Sequence, residues 1–264
     1  GKDTIMNSEA TTVPLELDNS TTESVAVSKA FELSEKLSSV SIIFPAYNEE
    51  ENIANSINNA IKAFSKYFNE VTVIPVDDGG HDATGEIIDN MAAKDERIKP
   101  VHHEVNKGYG AALRSGFSAA QNDFIFFSDS DGQFDLEEIT LLLEHIDSFD
   151  MVLGYRAHRA DPLHRKLNAW AWGGLVRLLF RVKVKDIDCA FKLFRRDIFN
   201  EINLQAGGAM VNTELLALAR KRGFSMTNVP VSHYPRQLGE QTGANPLVII
   251  RAFVELFKLY AKIS

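Results

Sequence analysis

The chain has 264 residues, is 45% hydrophobic, carries a formal net charge of −8 and contains one cysteine, Cys189. That length allows a full core in one large domain or two small ones. A single cysteine excludes an intrachain disulfide and makes a reducing compartment the default expectation; with no apolar run of 18 or more residues, no bilayer span is expected, and no signal peptide is read.

The charge is unevenly shared. Residues 156–264 hold 18 Lys and Arg against 8 Asp and Glu, whereas residues 1–155 hold 10 against 28. The expectation is an acidic, cation-holding front half and a back half that meets anionic partners. The basic half carries no recognised nucleic-acid motif. A phosphate-bearing substrate or an anionic membrane surface is therefore the favoured partner, and nucleic acid is not.

Residues 1–38 are rich in Ser, Thr and Glu without a sustained period and read as a mobile extension, with a short helix near Ser28–Lys36. Order is expected from Val40–Phe44, a strand stopped by Pro45. Asn48 and Glu51 have the spacing of a capping box, and Ile53, Ile57, Ile61, Phe64 and Phe68 supply a helical stripe. Val71–Val76 reads as the second strand and ends in Asp77-Asp78-Gly79-Gly80. A helix then runs to about Ala93, a short strand lies near Lys99–His103, and Gly108-Tyr-Gly110 opens the next helix. Phe124–Ser128 begins with four apolar residues and reads as a central strand buried on both faces. After a strand at Met151–Leu153 come a long segment from Leu163 to Phe180 with Trp170 and Trp172, a strand pair near Ala190–Phe194 and Met226–His233, and a last helix from Pro246 to Lys262. Strands alternating with helices imply an α/β fold with a mixed, mostly parallel, Rossmann-like sheet flanked by helices.

The strand ends carry the chemistry. Phe124–Ser128 runs straight into Asp129 and Asp131, a hard-oxygen pair suited to a divalent cation that keeps open positions for phosphate oxygens. In a parallel sheet Tyr47, Asn48 and Glu49, Asp77 and Asp78, and this pair all fall along the edge where ligands bind. Asp78 can accept from a base N–H there, and Tyr47 can stack on the ring. The alternative for the acids after strands is helix capping.

Pro45-Ala-Tyr-Asn-Glu49, Val76-Asp-Asp-Gly79, Asn106-Lys-Gly-Tyr-Gly110 and Asp129-Ser-Asp131 occur in the order and spacing of the family 2 glycosyltransferases. Over about Val40 to Ala252 the chain resembles that family, which has the GT-A fold, and most of all its polyprenyl-phosphate sugar transferases. The resemblance implies that Pro45, Tyr47 and Glu49 border a nucleoside, that Asp78 contacts the base, and that Lys107 in the Gly-rich motif is a further substrate contact. It implies a metal set of Asp129, Asp131 and Gln133 for Mg2+ or Mn2+. Arg156, Arg165, Lys192 and Arg236 become a clamp for phosphates, and Asp188 the first choice for a base, with Glu214 second. Asp188 stands where the family has Thr, Lys192 where it has Arg, and Gly80-His81 where it has Ser.

The implied division is 39–155 for nucleotide sugar and metal, 156–244 for acceptor, and 245–264 for a C-terminal amphipathic helix. The implied reaction is inverting transfer of a hexose from a UDP- or GDP-linked donor to a dolichyl or undecaprenyl phosphate. A soluble or glycan acceptor, or a nucleotidyltransferase, is the alternative. An NAD-binding reading of Gly108-x-Gly110 lacks its third glycine.

Arg251, Glu255, Lys258 and Lys262 form one helical stripe, against an apolar face including Phe253, Leu256, Phe257 and Tyr260. With the Trp170–Arg181 segment, this points to contact with a membrane surface or a second copy of the chain. The expected location is cytoplasmic, peripheral on the cytoplasmic membrane face. His102, His103 and His145 read as structural; His233, close to Arg236, is the one placed to face a metal or phosphate.

Overall fold

The computed structural model describes residues 35–157, 163–236 and 246–263, and the side chains of all of these except 163–169 and 246–252. The N-terminal extension and its short helix fall almost wholly outside the described residues.

The elements in chain order are β1 (Leu37–Ala46), α1 (Ile53–Phe64), β2 (Phe68–Asp77), α2 (Thr84–Ala92), β3 (Val101–His102), α3 (Tyr109–Ala119), β4 (Phe124–Ser128), a 3-10 turn (Leu136–Glu138), α4 (Ile139–Leu143), β5 (Met151–Arg156), α5 (Leu163–Phe180), β6 (Phe191–Arg195), α6 (Ile198–Glu201), α7 (Met210–Lys221), β7 (Met226–Val231) and α8 (Pro246–Ile263). The strands form one seven-stranded sheet in the order β3-β2-β1-β4-β6-β5-β7. All pairings are parallel except those of β6, which runs antiparallel to both β4 and β5. This is the mixed, mostly parallel α/β sheet expected from the alternation of strands and helices.

β4 is the spine of the core. All five of its residues are buried, as continuous apolar strands flanked on both faces must be. Phe126 lies 4.9 Å by ring centroids from Phe64 of α1 and 4.9 Å from Phe191 of β6. Phe127 stacks on Phe194 at 5.9 Å and meets Phe117 of α3 edge-on at 5.8 Å. Successive residues of one strand thus fill the two opposite layers.

Four local expectations are corrected. Pro45 does not end β1: it pairs only toward β2, opposite Val76, beyond the last β4 pairing at Ile43, so its missing N–H breaks no ladder bond on the β4 side. Phe68 opens β2 and does not continue the α1 stripe. The Asn48–Glu51 capping box does not form. Asn48 takes a left-handed φ of 54° and its Oδ1 accepts from His81 N (2.8 Å), while α1 starts later, at Ile53. The strands near Ala190–Phe194 and Met226–His233 do not pair with each other, because β5 lies between them.

Replacing Phe126 by Ala removes a fully buried ring touching two layers. Urea denaturation should show a loss of about 3–5 kcal/mol; a loss under 1 kcal/mol would mean that β4 does not anchor the core.

Candidate active site

Because β2, β1 and β4 are parallel neighbours, their carboxyl ends lie side by side. The segments leaving them enclose a cleft of about 460 Å3 lined by Pro45, Tyr47, Glu49, Asp78, Asp129, Asp131 and Arg236 among others. Seven residues picked from sequence are brought together there.

Alternation shapes the acidic tip. Ser130 is buried, with its Oγ donating to Pro45 O (3.0 Å) and its carbonyl accepting from Ser56 Oγ (2.8 Å). With the middle residue tied inward, Asp129 and Asp131 both line the cleft. Burial, and then the charge of Asp131, push the Asp129 carboxyl up to about 7. Tyr109 Oη donates to Asp129 Oδ1 (3.3 Å), and burial beside that acid holds the phenol well above its ordinary range. Asp131 Oδ1 accepts from Gln133 N (3.1 Å).

Gln133 turns its side-chain amide to Tyr234 O (2.9 Å), and its carbonyl accepts from Tyr234 N (2.8 Å). The loop after β4 is thereby clasped to the segment after β7, which carries Arg236. One guanidinium nitrogen of Arg236 donates to both carboxylate oxygens of Glu49 (2.9 Å each), and the other lies 3.9 Å from Asp131 Oδ2. His233 packs edge-on against Phe134 at 4.9 Å.

Across the cleft, Asp78 is an organiser. Its Oδ1 accepts from Lys107 N (2.9 Å) and pairs with His103 Nδ1 (2.6 Å), while Oδ2 accepts from Gly108 N (2.8 Å). His103 Nε2 in turn meets Ser115 Oγ (2.8 Å). The loop so held has little room. Gly108 sits at φ 92°, and a Cβ on Gly110 would lie 2.5 Å from Gly208 O. Tyr47 is half-exposed at the mouth, edge-on to His81.

The residues expected to clamp phosphates are less uniform. Arg156 forms a bidentate pair with Asp186 (2.7 and 2.9 Å); burial opposes its charge, and the pair outweighs burial and holds the guanidinium above its ordinary range. Lys192 is 0% exposed, donates to the carbonyls of Ile187 (3.0 Å) and Cys189, and lies over the Phe127 ring; burial lowers its pKa. The direct phosphate contact expected of Lys192 is therefore corrected: its ammonium props the 187–189 turn from inside.

Asp188, exposed on that turn, borders two further hollows, one with Lys107 and Glu214, the other with Arg156 and Trp170. Glu214 is buried and accepts from Gln205 N and Ala206 N (2.7 Å each), so it fixes a loop and its base role is not what the geometry offers. The side chain of Arg165 lies outside the described residues.

The sequence profile of "Glycosyl transferase family 2" matches residues 41–203, more than half of the chain. The chain belongs to glycosyl transferase family 2. It is a glycosyltransferase, close within the family to the polyprenyl-phosphate sugar transferases. "Glycosyltransferase AglD" of Haloferax volcanii is 33% identical over 207 residues, covering 75% of this chain and 33% of that protein. "Polyprenol monophosphomannose synthase" of Mycolicibacterium smegmatis is 29% identical over 223 residues, covering 77% of this chain and 81% of that protein. A glucosyl-3-phosphoglycerate synthase from Mycobacterium tuberculosis, solved with Mg2+ and UDP, superposes with a TM-score of 0.64 at 19% identity over 86% of this chain and 80% of that one. That likeness shows the GT-A fold. The chain spans only a third of the length of the Haloferax protein.

The family segment contains every cleft residue except Arg236. Among the described residues no three His, Cys, Asp or Glu side chains gather at metal-holding spacing. Two carboxylates at the tip would still suit a divalent cation with positions left for phosphate oxygens. Their oxygens are hard donors, and burial together with the charge of Asp131 pushes the Asp129 carboxyl up to about 7, a cost that a cation there would offset. Sequence reasoning gave no role to Tyr109, Ser130 or Ser115. Tyr109 had a signal in its place between two motif glycines; Ser115 becomes visible only when α3 packs under β3.

Replacing His103 by Leu strips a buried partner from both Asp78 and Ser115. Stability should fall by about 1–3 kcal/mol in denaturant titration, with His103→Gln recovering part of it. An unchanged midpoint would mean that the Asp78 carboxylate needs no such partner.

Proposed function

We propose that this chain moves a hexose from a UDP- or GDP-linked donor to the phosphate of a polyprenyl lipid, with inversion at the anomeric carbon and with Mg2+ or Mn2+ at Asp129 and Asp131. The observation that carries the reading is the acidic tip of β4 facing Glu49, Asp78 and Arg236 across one cleft. The names of the relatives support the acceptor class. The Mycolicibacterium protein is a polyprenol monophosphomannose synthase, and a Trichomonas vaginalis protein 29% identical over 209 residues is a dolichyl-phosphate beta-glucosyltransferase.

In this reading Tyr47 flanks the nucleobase, and Asp78 Oδ2, which among the described residues accepts from Gly108 N, has capacity left for a base N–H. A bound divalent cation supplies Lewis-acid neutralisation of the leaving diphosphate. Arg236 adds positive charge at the same edge by exchanging Glu49 for phosphate oxygens. A lipid monophosphate is already anionic near neutral pH, so positioning two mutually repelling phosphates matters more than a strong base. If a proton must leave, Asp188 is the group that receives it.

The acceptor side suits a bilayer surface. No helix among the described residues is long and apolar enough to cross a membrane. Trp170 and Leu178 of α5 are nonetheless 70% and 76% exposed, and Phe253, Val254 and Phe257 of α8 are exposed beside Lys258. Trp172 meets Phe253 edge-on at 5.3 Å, so α5 and α8 pack side by side while Trp170 and Leu178 stay on the outer side of α5. A peripheral location on the cytoplasmic face of a membrane follows from this reading.

Radiolabelled sugar nucleotides should be incubated with undecaprenyl or dolichyl phosphate and extracted into organic solvent. Label in the organic phase, dependent on lipid and on Mn2+ or Mg2+, is the expected result; label found only in water-soluble product would point to the soluble acceptor. Asp131→Ala should lower kcat by roughly 10²-fold or more without loss of fold, and activity at the wild-type level would sink the assignment.

The pH dependence has a definite sign. Asp129 is held at about 7 in the metal-free chain, far above its ordinary value, so the carboxyl is protonated below that pH and a cation must displace the proton. Mn2+ affinity, measured by calorimetry, should fall about tenfold per pH unit below 7 and level off above it. A flat profile from pH 5 to 8 would contradict this.

A further inference from the structure

Away from the donor cleft, the described residues line a second polar hollow of about 530 Å3. It lies toward the opposite edge of the sheet. Arg196 in its wall donates its backbone N–H to Asp123 O (2.9 Å), just before β4 begins, whereas the acidic tip follows the last residue of that strand. Arg114 of α3, Arg196 after β6 and Arg222 at the end of α7 all line it.

The charges there are not balanced. Glu201 is the carboxylate in the lining, and its contact with Arg222 is 4.0 Å between side chains that are both 58% exposed, which neutralises little. Arg114 and Arg196 have no carboxylate partner among the described residues. The Nε of Arg114 is enclosed and has no hydrogen-bond acceptor at all. A buried donor without a partner is costly, and native structures leave few of them unexplained.

Beneath the arginines, Phe117 and Phe199 stack at 4.6 Å, giving the hollow an aromatic floor. Its volume falls within the roughly 300–1,000 Å3 range of small-molecule sites. Guanidiniums present forked donors that match phosphate oxygens two at a time. An anion with several oxygens could bridge the accessible guanidinium nitrogens of these arginines and offset their shared positive charge.

We propose that this hollow is a binding site for a phosphate-bearing small molecule, separate from the donor cleft and independent of the reaction assigned to it. The test is calorimetric titration of the full chain with inorganic pyrophosphate in EDTA at constant ionic strength, beside the variants R114Q/R196Q, R196Q and, for the donor cleft, R236Q. Saturable binding of one equivalent is expected, weakened about tenfold for each of Arg114 and Arg196 removed and unchanged in R236Q. Arg196 is half-buried, so R196Q keeps the fold and reads the answer if the double variant does not. Absence of saturable binding in the wild-type chain overturns the proposal. So does binding that survives R196Q at full strength, or that is lost in R236Q, since the ion would then sit in the donor cleft.

Discussion

Two carboxylates held one residue apart at the end of a wholly buried strand set the terms for everything around them. Water is scarce at that tip, so their repulsion is not damped as it would be on an open surface. The fold answers it in three ways: Asp129 keeps its proton to about 7, Tyr109 donates to it, and Arg236 brings a guanidinium within 3.9 Å of Asp131. Each response is partial. A polar edge under such tension favours an added cation, and the metal-assisted proposal draws on that tension.

Two basic residues expected to meet phosphate, Arg156 and Lys192, are used as internal props. Arg156 is committed to Asp186, and Lys192 to the carbonyls of Ile187 and Cys189. Together they grip the 186–189 turn from opposite ends and hold Asp188 out at the divide between two hollows. Net charge counted along the chain therefore overstates the positive field that a substrate meets. The organising acids behave in the same manner: Asp78 and Glu214 both spend their oxygens on backbone N–H groups of loops that border the site.

The architecture was legible because its signals are local. Alternating strand and helix patterns, the apolar run of β4 and the acids at three strand ends each follow from side-chain type and spacing, and a parallel sheet then lines those ends up without further information. Boundaries failed where tertiary partners decide. Pro45 reads as a stop, yet it sits where β1 has already left β4; Asn48 reads as a cap, yet its side chain is drawn to His81. Lys192 misled for a related reason: its sequence neighbours suggest a cation on a loop, while its antiparallel pairing with Phe127 and Leu153 places it inside the sheet. The His103–Ser115 link was invisible, since nothing in the spacing of the two residues shows that a helix will pass beneath that strand.

The clasp between Gln133 and Tyr234 has a mechanical corollary. Paired N–H and C=O groups on both sides fasten the backbone of the late segment to the turn after the acidic tip. With that backbone fastened, the rotamer of Arg236 alone sets how its guanidinium is divided between Glu49 and Asp131.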